Sequence, residues 1–168
     1  MENVNESEIA VDLKPLVFAD FCESLVGDLG RDHPPSPRIT YSFDPTHKET
    51  VHIDEQLVKN ILDILLKNAC QYSPEETPIT VDFAFSTDSD APLTIQVSDQ
   101  GYGIAPEEID IIFELFYRGK NVENLKSGLG SGLFKAQFLA QAMGGRISAG
   151  SDGINQGTTF TLTLPSHP

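Results

Sequence analysis

The stretch of sequence that decides the fold is residues 54–74, DEQLVKNILDILLKNACQYSP. Its apolar residues recur at spacings of three and four, which is the period of an amphipathic helix with one face in a core. The residues of that face are Leu57, Val58, Ile61, Leu62, Leu65, Leu66 and Ala69. Asp54 is a favourable N-cap residue, and Ser73-Pro74 is a suitable stop signal. The sequence therefore predicts a central helix between Asp54 and Pro74.

One polar residue, Asn68, lies on or beside the apolar stripe of this helix, four residues after Ile64 and seven after Ile61. A buried amide without a partner costs about 1–3 kcal/mol, so we expect Asn68 to have one. Two interpretations stay open on the helix alone. The amide bonds to a loop carbonyl, or it points into a pocket and holds a ligand or a metal ion.

Four segments precede the central helix. Apolar residues over 12–29 at spacings of three and four predict a helix that ends near Gly30. Three prolines in residues 31–37 predict a loop, because proline breaks regular structure. Alternation over 38–43 predicts a strand, and residues 50–53 form a second short strand before the central helix.

The second half of the chain reads mainly as strands. The predicted elements are a hairpin of strands 78–86 and 93–98, a short helix from Pro106, a helix over 133–143, and a closing strand pair, 146–149 and 158–164. This order of elements predicts an α+β fold, a two-layer sandwich whose mixed, mostly antiparallel sheet carries the helices on one face.

The length of the chain and its net charge limit the number of domains and the kinds of partner that we expect. A chain of 168 residues predicts one domain. We place that domain at residues 11–168, after a polar, acidic segment, 1–10, that is disordered or extraneous to it. The formal net charge of −14 argues against duplex nucleic acid or an anionic membrane as partner, because both need clustered Lys and Arg. A nucleotide is still possible, since backbone N–H groups and a few cations can hold it.

The cysteines and the hydropathy point to a reducing compartment. Cys22 and Cys70 both lie in helix-like apolar patterns, and we interpret them as small buried side chains, because two cysteines make no disulfide framework. No apolar run reaches about 18 residues, and the start shows no signal-peptide pattern. These features predict a cytoplasmic location.

Glycine clusters follow the central helix. The first, with Asp99, Gly101, Gly103 and Ile104, comes straight after a strand, whose end delivers a carboxylate. Glycines allow a tight turn and close backbone approach, and the carboxylate could accept a hydrogen bond from an exocyclic amine. The alternative is a plain Asp-x-Gly turn without function.

A second cluster, with Gly128, Gly130, Gly132 and Leu133, opens a predicted helix. Glycines before a helix N-terminus are typical of an anion site, because free N–H groups and the positive end of the dipole face the same way. A flexible linker is the alternative. The pattern is neither a Rossmann fingerprint nor a P-loop, since no βαβ unit encloses it and G-K-[ST] is absent.

Together these residues resemble the ATP-binding catalytic domain of sensor histidine kinases, a Bergerat-type fold shared with gyrase, the heat-shock chaperone ATPase and mismatch-repair ATPases. The segments that carry the resemblance are 65–74 (asparagine box), 99–104 (first glycine box), 112–118 (phenylalanine box), 128–133 (second glycine box) and 157–165 (closing strand). The resemblance covers nearly the whole chain.

The resemblance implies that the chain binds ATP and Mg²⁺. Asp99 would accept a hydrogen bond from the adenine amino group, with Thr158 assisting through water, and Gly101 and Gly103 would let the adenine lie close against Ile104. The ATP-binding residues that it implies are Asn68, Tyr72, Asp99, Gly101, Gly103, Ile104, Arg118, Gly128, Gly130, Gly132, Leu133 and Thr158.

The phosphate side follows from the same resemblance. Asn68 would coordinate the Mg²⁺ that bridges the phosphates, and Gly130 and Gly132 would donate backbone N–H groups to them. Tyr72 and Arg118 would lie near the ribose or the phosphates. Residues 113–132 would form a mobile lid over the nucleotide.

The function that the resemblance implies is donation of the γ-phosphoryl of Mg-ATP to a histidine on a separate upstream dimerisation domain, with a response regulator as indirect partner. The four histidines, His33, His47, His52 and His167, do not lie in an acceptor motif, so no catalytic residue of this chain is certain. The domain alone would be monomeric, without membrane contact, and the full protein would be a cytoplasmic homodimer or the cytoplasmic part of a membrane sensor.

Two departures keep alternatives open. Ile64 stands where many kinases carry a second asparagine and hydrolytic relatives carry a general-base glutamate, and an isoleucine cannot activate water. Gln71 replaces a common lysine. These departures support one alternative, a degenerate module with weak or no ATP binding that serves protein interactions, but the intact Asn68, Asp99 and glycine clusters count against it. An anti-sigma-type serine kinase shares the same motifs.

Overall fold

The computed structural model describes residues 9–32, 38–88, 93–114 and 132–165. Its elements in chain order are β1 (Lys14–Val17), α1 (Phe18–Asp32), β2 (Ile39–Ser42), β3 (Thr50–Ile53), α2 (Glu55–Gln71), β4 (Ile79–Phe85), β5 (Leu93–Asp99), a 3-10 turn (Pro106–Glu108), α3 (Gly132–Ala142), β6 (Arg146–Gly150) and β7 (Thr158–Leu164).

The main sheet has five strands in the order β2-β4-β5-β7-β6. The pair β2–β4 is parallel, and the other three pairs are antiparallel. A separate two-stranded antiparallel sheet joins β1 to β3. The predicted mixed, mostly antiparallel sheet is therefore confirmed.

The two faces of the main sheet differ in polarity. Val81, Ile95 and Leu162 are fully buried and belong to one hydrophobic core together with the buried faces of the helices. On the alternate positions the strands carry polar residues such as Gln96, whose Nε2 donates to Thr161 Oγ1 at 3.3 Å. This alternation is the pattern of a sheet with one covered and one solvated face, which confirms the two-layer sandwich.

The central helix α2 forms where the sequence predicts it. Asp54 caps it, because its Oδ1 accepts from the Leu57 N–H at 3.1 Å. The other carboxylate oxygen accepts from the Asp12 N–H at 2.9 Å and so pins the N-terminal segment to the same cap. Every residue predicted on the apolar face is buried except Leu57, which is half-buried.

The predicted helix over 12–29 is wrong at its start. Residues 14–17 form strand β1, in register with β3 so that Lys14 lies opposite Ile53. Pro15 explains the difference, because it lacks an N–H and clashes with the preceding helical turn. The helix begins at Phe18, whose N–H donates to the Glu49 carbonyl at 2.9 Å.

The interpretation of both cysteines as buried is half wrong. Cys22 is fully buried in the core, and burial raises the pKa of its thiol to about 12. Cys70 is exposed, because it lies on the outer side of α2 beside Lys67 and Gln71. A helix stripe of this width leaves the position after Ala69 outside the core.

Several predictions fall outside the described residues. Most of the predicted lid lies there, with Arg118, Gly128 and Gly130, as do most of the predicted N-terminal segment and the proline-rich loop. Within the described ranges, no helix is long and apolar enough to cross a membrane.

Candidate functional site

The candidate site lies at the end of strand β5, whose last residue is Asp99. Asp99 lies opposite Thr158, the first residue of β7, and Thr158 is buried. Asp99 is half-buried, and its Oδ1 accepts from the Gly101 N–H at 2.8 Å. The turn that follows the strand thus holds the carboxylate in a fixed orientation.

Two opposing effects act on the pKa of the Asp99 carboxyl. Burial raises the pKa of the Asp99 carboxyl above its ordinary value. Hydrogen bonds from the backbone of Gly101 and Thr158, and the positive charge of Arg38, act in the opposite direction. The protein therefore compensates only part of the cost of keeping a charge at this position.

The loop after Asp99 is docked on the end of α2. The Tyr102 N–H donates to the Tyr72 carbonyl at 3.0 Å. A Cβ on Gly101 would lie 2.0 Å from the Tyr72 carbonyl oxygen, so no other residue fits here without a shift of backbone. This contact explains why a glycine is required at position 101. The predicted close approach of adenine to Gly101 stays a prediction.

A second loop, residues 151–157, closes over the first and is organised by a serine that the sequence analysis missed. Ser151 Oγ accepts from the Ile104 N–H at 3.0 Å and donates to the Gly157 carbonyl at 2.7 Å. Gly103 has a φ of 68°, and a Cβ there would meet the Gly153 carbonyl oxygen at 2.0 Å. Nothing local in the sequence marks Ser151, because its partner at Ile104 is 47 residues away.

Asn68 lies one helical turn before Tyr72, whose N–H donates to the Asn68 carbonyl at 3.0 Å. Its side chain is half-buried. Within the part of the chain that the structure describes, the Asn68 side-chain amide makes no hydrogen bond to protein. The interpretation in which a loop carbonyl holds this amide therefore finds no support in the described residues.

The start of α3 packs beside α2. A Cβ on Gly132 would lie 3.3 Å from Cγ2 of Ile64, which precedes Asn68 by one turn. Leu133 is half-buried against the core. The second glycine cluster thus ends next to the helix that carries Asn68.

The described site residues fall into two groups joined by α2. Around the end of β5 lie Tyr72, Asp99, Gly101 and Thr158, linked by the contacts given above. Toward the start of α3, Asn68 shares one helix with Ile64, the neighbour of Gly132. An amide oxygen is a ligand that Mg²⁺ accepts. No group of three or more His, Cys, Asp or Glu side chains placed to hold a metal occurs among the described residues.

Known proteins resemble this chain in sequence. The model of the histidine kinase-, DNA gyrase B- and HSP90-like ATPase family matches residues 53–168. The sensor histidine kinase WalK of Bacillus subtilis is 38% identical over 117 residues, which are 68% of this chain and 19% of that protein. The adaptive-response sensory kinase SasA of Gloeothece citriformis is 38% identical over 121 residues, 72% of this chain and 30% of that protein.

Solved structures share the fold. The full-length structure of ShkA in complex with AMPPNP superposes with a TM-score of 0.69 at 24% identity, over 94% of this chain and 32% of that one. The mycobacterial sensor histidine kinase MprB superposes with a TM-score of 0.67 at 20% identity, over 94% of this chain and 99% of that one.

The fold is therefore that of histidine kinase ATPase domains, and the predicted resemblance is confirmed. The chain belongs to the histidine kinase-, DNA gyrase B- and HSP90-like ATPase family. It spans about a fifth to a third of the length of the curated relatives it matches.

Proposed function

We propose that this chain is the ATP-binding catalytic domain of a sensor histidine kinase, which donates the γ-phosphoryl of Mg-ATP to a histidine on a separate helical domain. The observation that carries the proposal is the Asp99 carboxylate at the end of β5, oriented by Gly101 and placed opposite Thr158. The kinase relatives support the same assignment.

The adenine would be recognised by Asp99. A carboxylate accepts strongly from N–H donors, and its two oxygens offer about four lone-pair sites, so Asp99 can accept a further hydrogen bond besides those from the Gly101 and Thr158 N–H groups. The exocyclic amine of adenine is such a donor. Thr158, a buried residue that pairs with Asp99 on β7, would assist through an ordered water that bonds to the same base.

The phosphates and their metal would lie on the Asn68 side. Bound Mg²⁺ would neutralise phosphate charge during transfer. The residue of the described part that would hold it is Asn68, whose amide has no protein partner there. Asn68 would orient the phosphates relative to the adenine that Asp99 fixes, because both residues are tied to the same end of α2.

Ile64 favours transfer over hydrolysis. Its side chain packs beside Gly132 at the position where a hydrolytic relative would need a general base. A hydrocarbon side chain can neither take a proton from water nor orient it. The phosphoryl acceptor would therefore have to be a nucleophile that needs no activation by Ile64. A histidine on another domain meets this requirement.

The acceptor histidine would lie outside this chain. His52 lies in β3, and His47 lies in a turn between the carboxylates of Asp44 and Glu49, so neither is on a helix. We therefore propose an upstream dimerisation domain as the direct partner, a response regulator as the indirect one, a homodimer as the full-length state and a cytoplasmic location.

Calorimetric titration with a non-hydrolysable ATP analogue, with and without Mg²⁺, tests the binding step. We expect a single site that is tighter with Mg²⁺. Absence of binding under both conditions would overturn the proposal in favour of a degenerate interaction module. Transfer of labelled phosphate to serine instead of histidine would point to the serine-kinase alternative.

A further inference from the structure

The side chain of Arg38 links two parts of the candidate site that are far apart in sequence. Its Nη2 donates to Ser73 Oγ at 2.5 Å and to the Ser73 carbonyl at 3.4 Å, and it lies 3.5 Å from the Cys70 carbonyl. These acceptors lie in the last turn of α2 and just after it, where carbonyl groups lack helical partners and the dipole is negative. Arg38 therefore caps the end of the helix that carries Asn68.

The backbone of Arg38 is fixed as well. Its carbonyl accepts from the Ile79 N–H at 2.7 Å, at the point where the parallel pair of β2 and β4 begins. The half-buried side chain thus starts from a sheet position and crosses to α2. An arginine held both by its backbone and by its guanidinium has little freedom to move.

Arg38 holds the end of α2 at residues 70–73, and the loop that follows Asp99, residues 100–104, packs on this same end of the helix. Ser73 is next to Tyr72, whose carbonyl accepts from Tyr102 and leaves no room for a Cβ on Gly101. Gly101 in turn donates to Asp99. A shift of the end of α2 would be transmitted directly to the carboxylate.

We propose that Arg38 is a positioning residue for adenine recognition, which holds the end of α2 against the loop that follows Asp99. The inference rests on the proposed nucleotide function and adds to it a residue outside the family motifs. Besides Arg38, the groups that act on Asp99 are the N–H groups of Gly101 and Thr158, and the titratable neighbours in the docked segments are Tyr72 and Tyr102.

Besides this positioning, the charge of Arg38 predicts a change in the pH dependence of binding. Arg38 lowers the pKa of Asp99 against the effect of burial. Without that charge the carboxyl binds its proton at higher pH, and the protonated form no longer accepts from the adenine amine as strongly. The acidic limit of nucleotide binding, that is, the pH below which affinity is lost, should therefore move to higher pH in a variant with an uncharged side chain at position 38.

The test is titration of the 168-residue chain with one ATP analogue and Mg²⁺ from neutral to acidic pH. We expect Arg38→Met to weaken binding roughly tenfold at neutral pH and to move the acidic limit upward. Arg38→Lys should keep the acidic limit of the wild type. Arg146→Met, which removes the same charge from an exposed position on β6, should change neither quantity.

Arg38→Gln serves as a second neutral variant, because its amide can still donate to Ser73. Equal weakening at every pH, or an Arg38→Lys variant as impaired as Arg38→Met, would overturn the electrostatic role. Failure of both neutral variants to fold would make Arg38 a structural residue and would also overturn it. If the wild type binds no nucleotide, the proposed function itself fails, whereas wild-type binding with unaffected Arg38 variants refutes only this inference.

Discussion

At the scale of single residues, the ionised Asp99 carboxylate that the proposed nucleotide binding requires would lower the stability of the fold. Burial raises its pKa, so the folded state holds the proton more strongly than the unfolded state does. The contribution of Asp99 to the free energy of unfolding is then most favourable below its ordinary pKa and falls as the pH rises through the raised value. At neutral pH the ionised group costs stability in the free protein.

Asp99→Asn should separate the two effects. The amide can still accept from Gly101 through its carbonyl oxygen, so we expect a free energy of unfolding at neutral pH equal to or above that of the wild type. Loss of a charge-assisted hydrogen bond should weaken nucleotide binding by about 1.5–3 kcal/mol, or about ten- to hundredfold. Thermal unfolding and calorimetry measure the two quantities.

Asp152→Asn is the matched control, since Asp152 is exposed in the neighbouring loop. It should leave both quantities unchanged. Wild-type affinity in Asp99→Asn would sink the adenine role, and a large loss of stability would show that the carboxylate serves the fold.

The second residue-scale prediction concerns the metal. Asn68→Ala should weaken binding of the Mg-ATP analogue much more than binding of the metal-free analogue, because the amide oxygen acts through the ion. Calorimetry at both metal conditions measures the difference. Asn60→Ala, on the same helix two turns earlier, is the control. Equal losses with and without Mg²⁺ would mean that Asn68 is structural.

At the scale of elements, the first glycine loop depends on its contact with α2. Gly101→Ala would place a methyl group 2.0 Å from the Tyr72 carbonyl oxygen, and relaxation is limited because this neighbour is backbone. We expect destabilisation by about 2–4 kcal/mol. Urea unfolding measures it, and nucleotide affinity should fall in parallel, because the loop orients Asp99.

Gly27→Ala gives the opposite expectation with the same chemical change. Gly27 lies inside α1, and a Cβ there would meet no atom within 4 Å. Alanine should therefore stabilise the protein by about 0.5–1 kcal/mol. A Gly101→Ala variant as stable as Gly27→Ala would contradict the docked arrangement of the loop.

Elements with a clear period could be predicted from the sequence, and contacts between distant segments could not. The α2 helix was predictable because its apolar period, its cap at Asp54 and its stop signal agree. The start of α1 was mispredicted because spacing alone was followed through Pro15, which forms part of a strand that needs β3 as its partner.

The residues of the candidate site also divide into those with a local sequence pattern and those that act through distant contacts. Asp99 and the glycines are visible as local patterns, whereas Ser151 and Arg38 act on partners 32 to 47 residues away. Arg38 also follows a proline-rich segment that gives no sign of a site. Such residues become recognisable only when strand order and loop packing are known.

At the scale of the whole molecule, the net charge of −14 is unfavourable for an anionic ligand. The proposed site would counter it locally, through the helix start at Gly132 and through a divalent metal held near Asn68. The domain would therefore act on Mg-ATP and would depend on a second domain for its nucleophile.

The most direct test of the central claim is transfer of labelled γ-phosphate from Mg-ATP by this chain to an added helical, histidine-bearing domain of the full-length protein. We predict label on that domain, in an acid-labile and base-stable linkage typical of phosphohistidine, and loss of transfer in Asp99→Asn. Release of free phosphate without labelling, or acid-stable label on a hydroxyl side chain, would contradict the assignment as a histidine kinase domain.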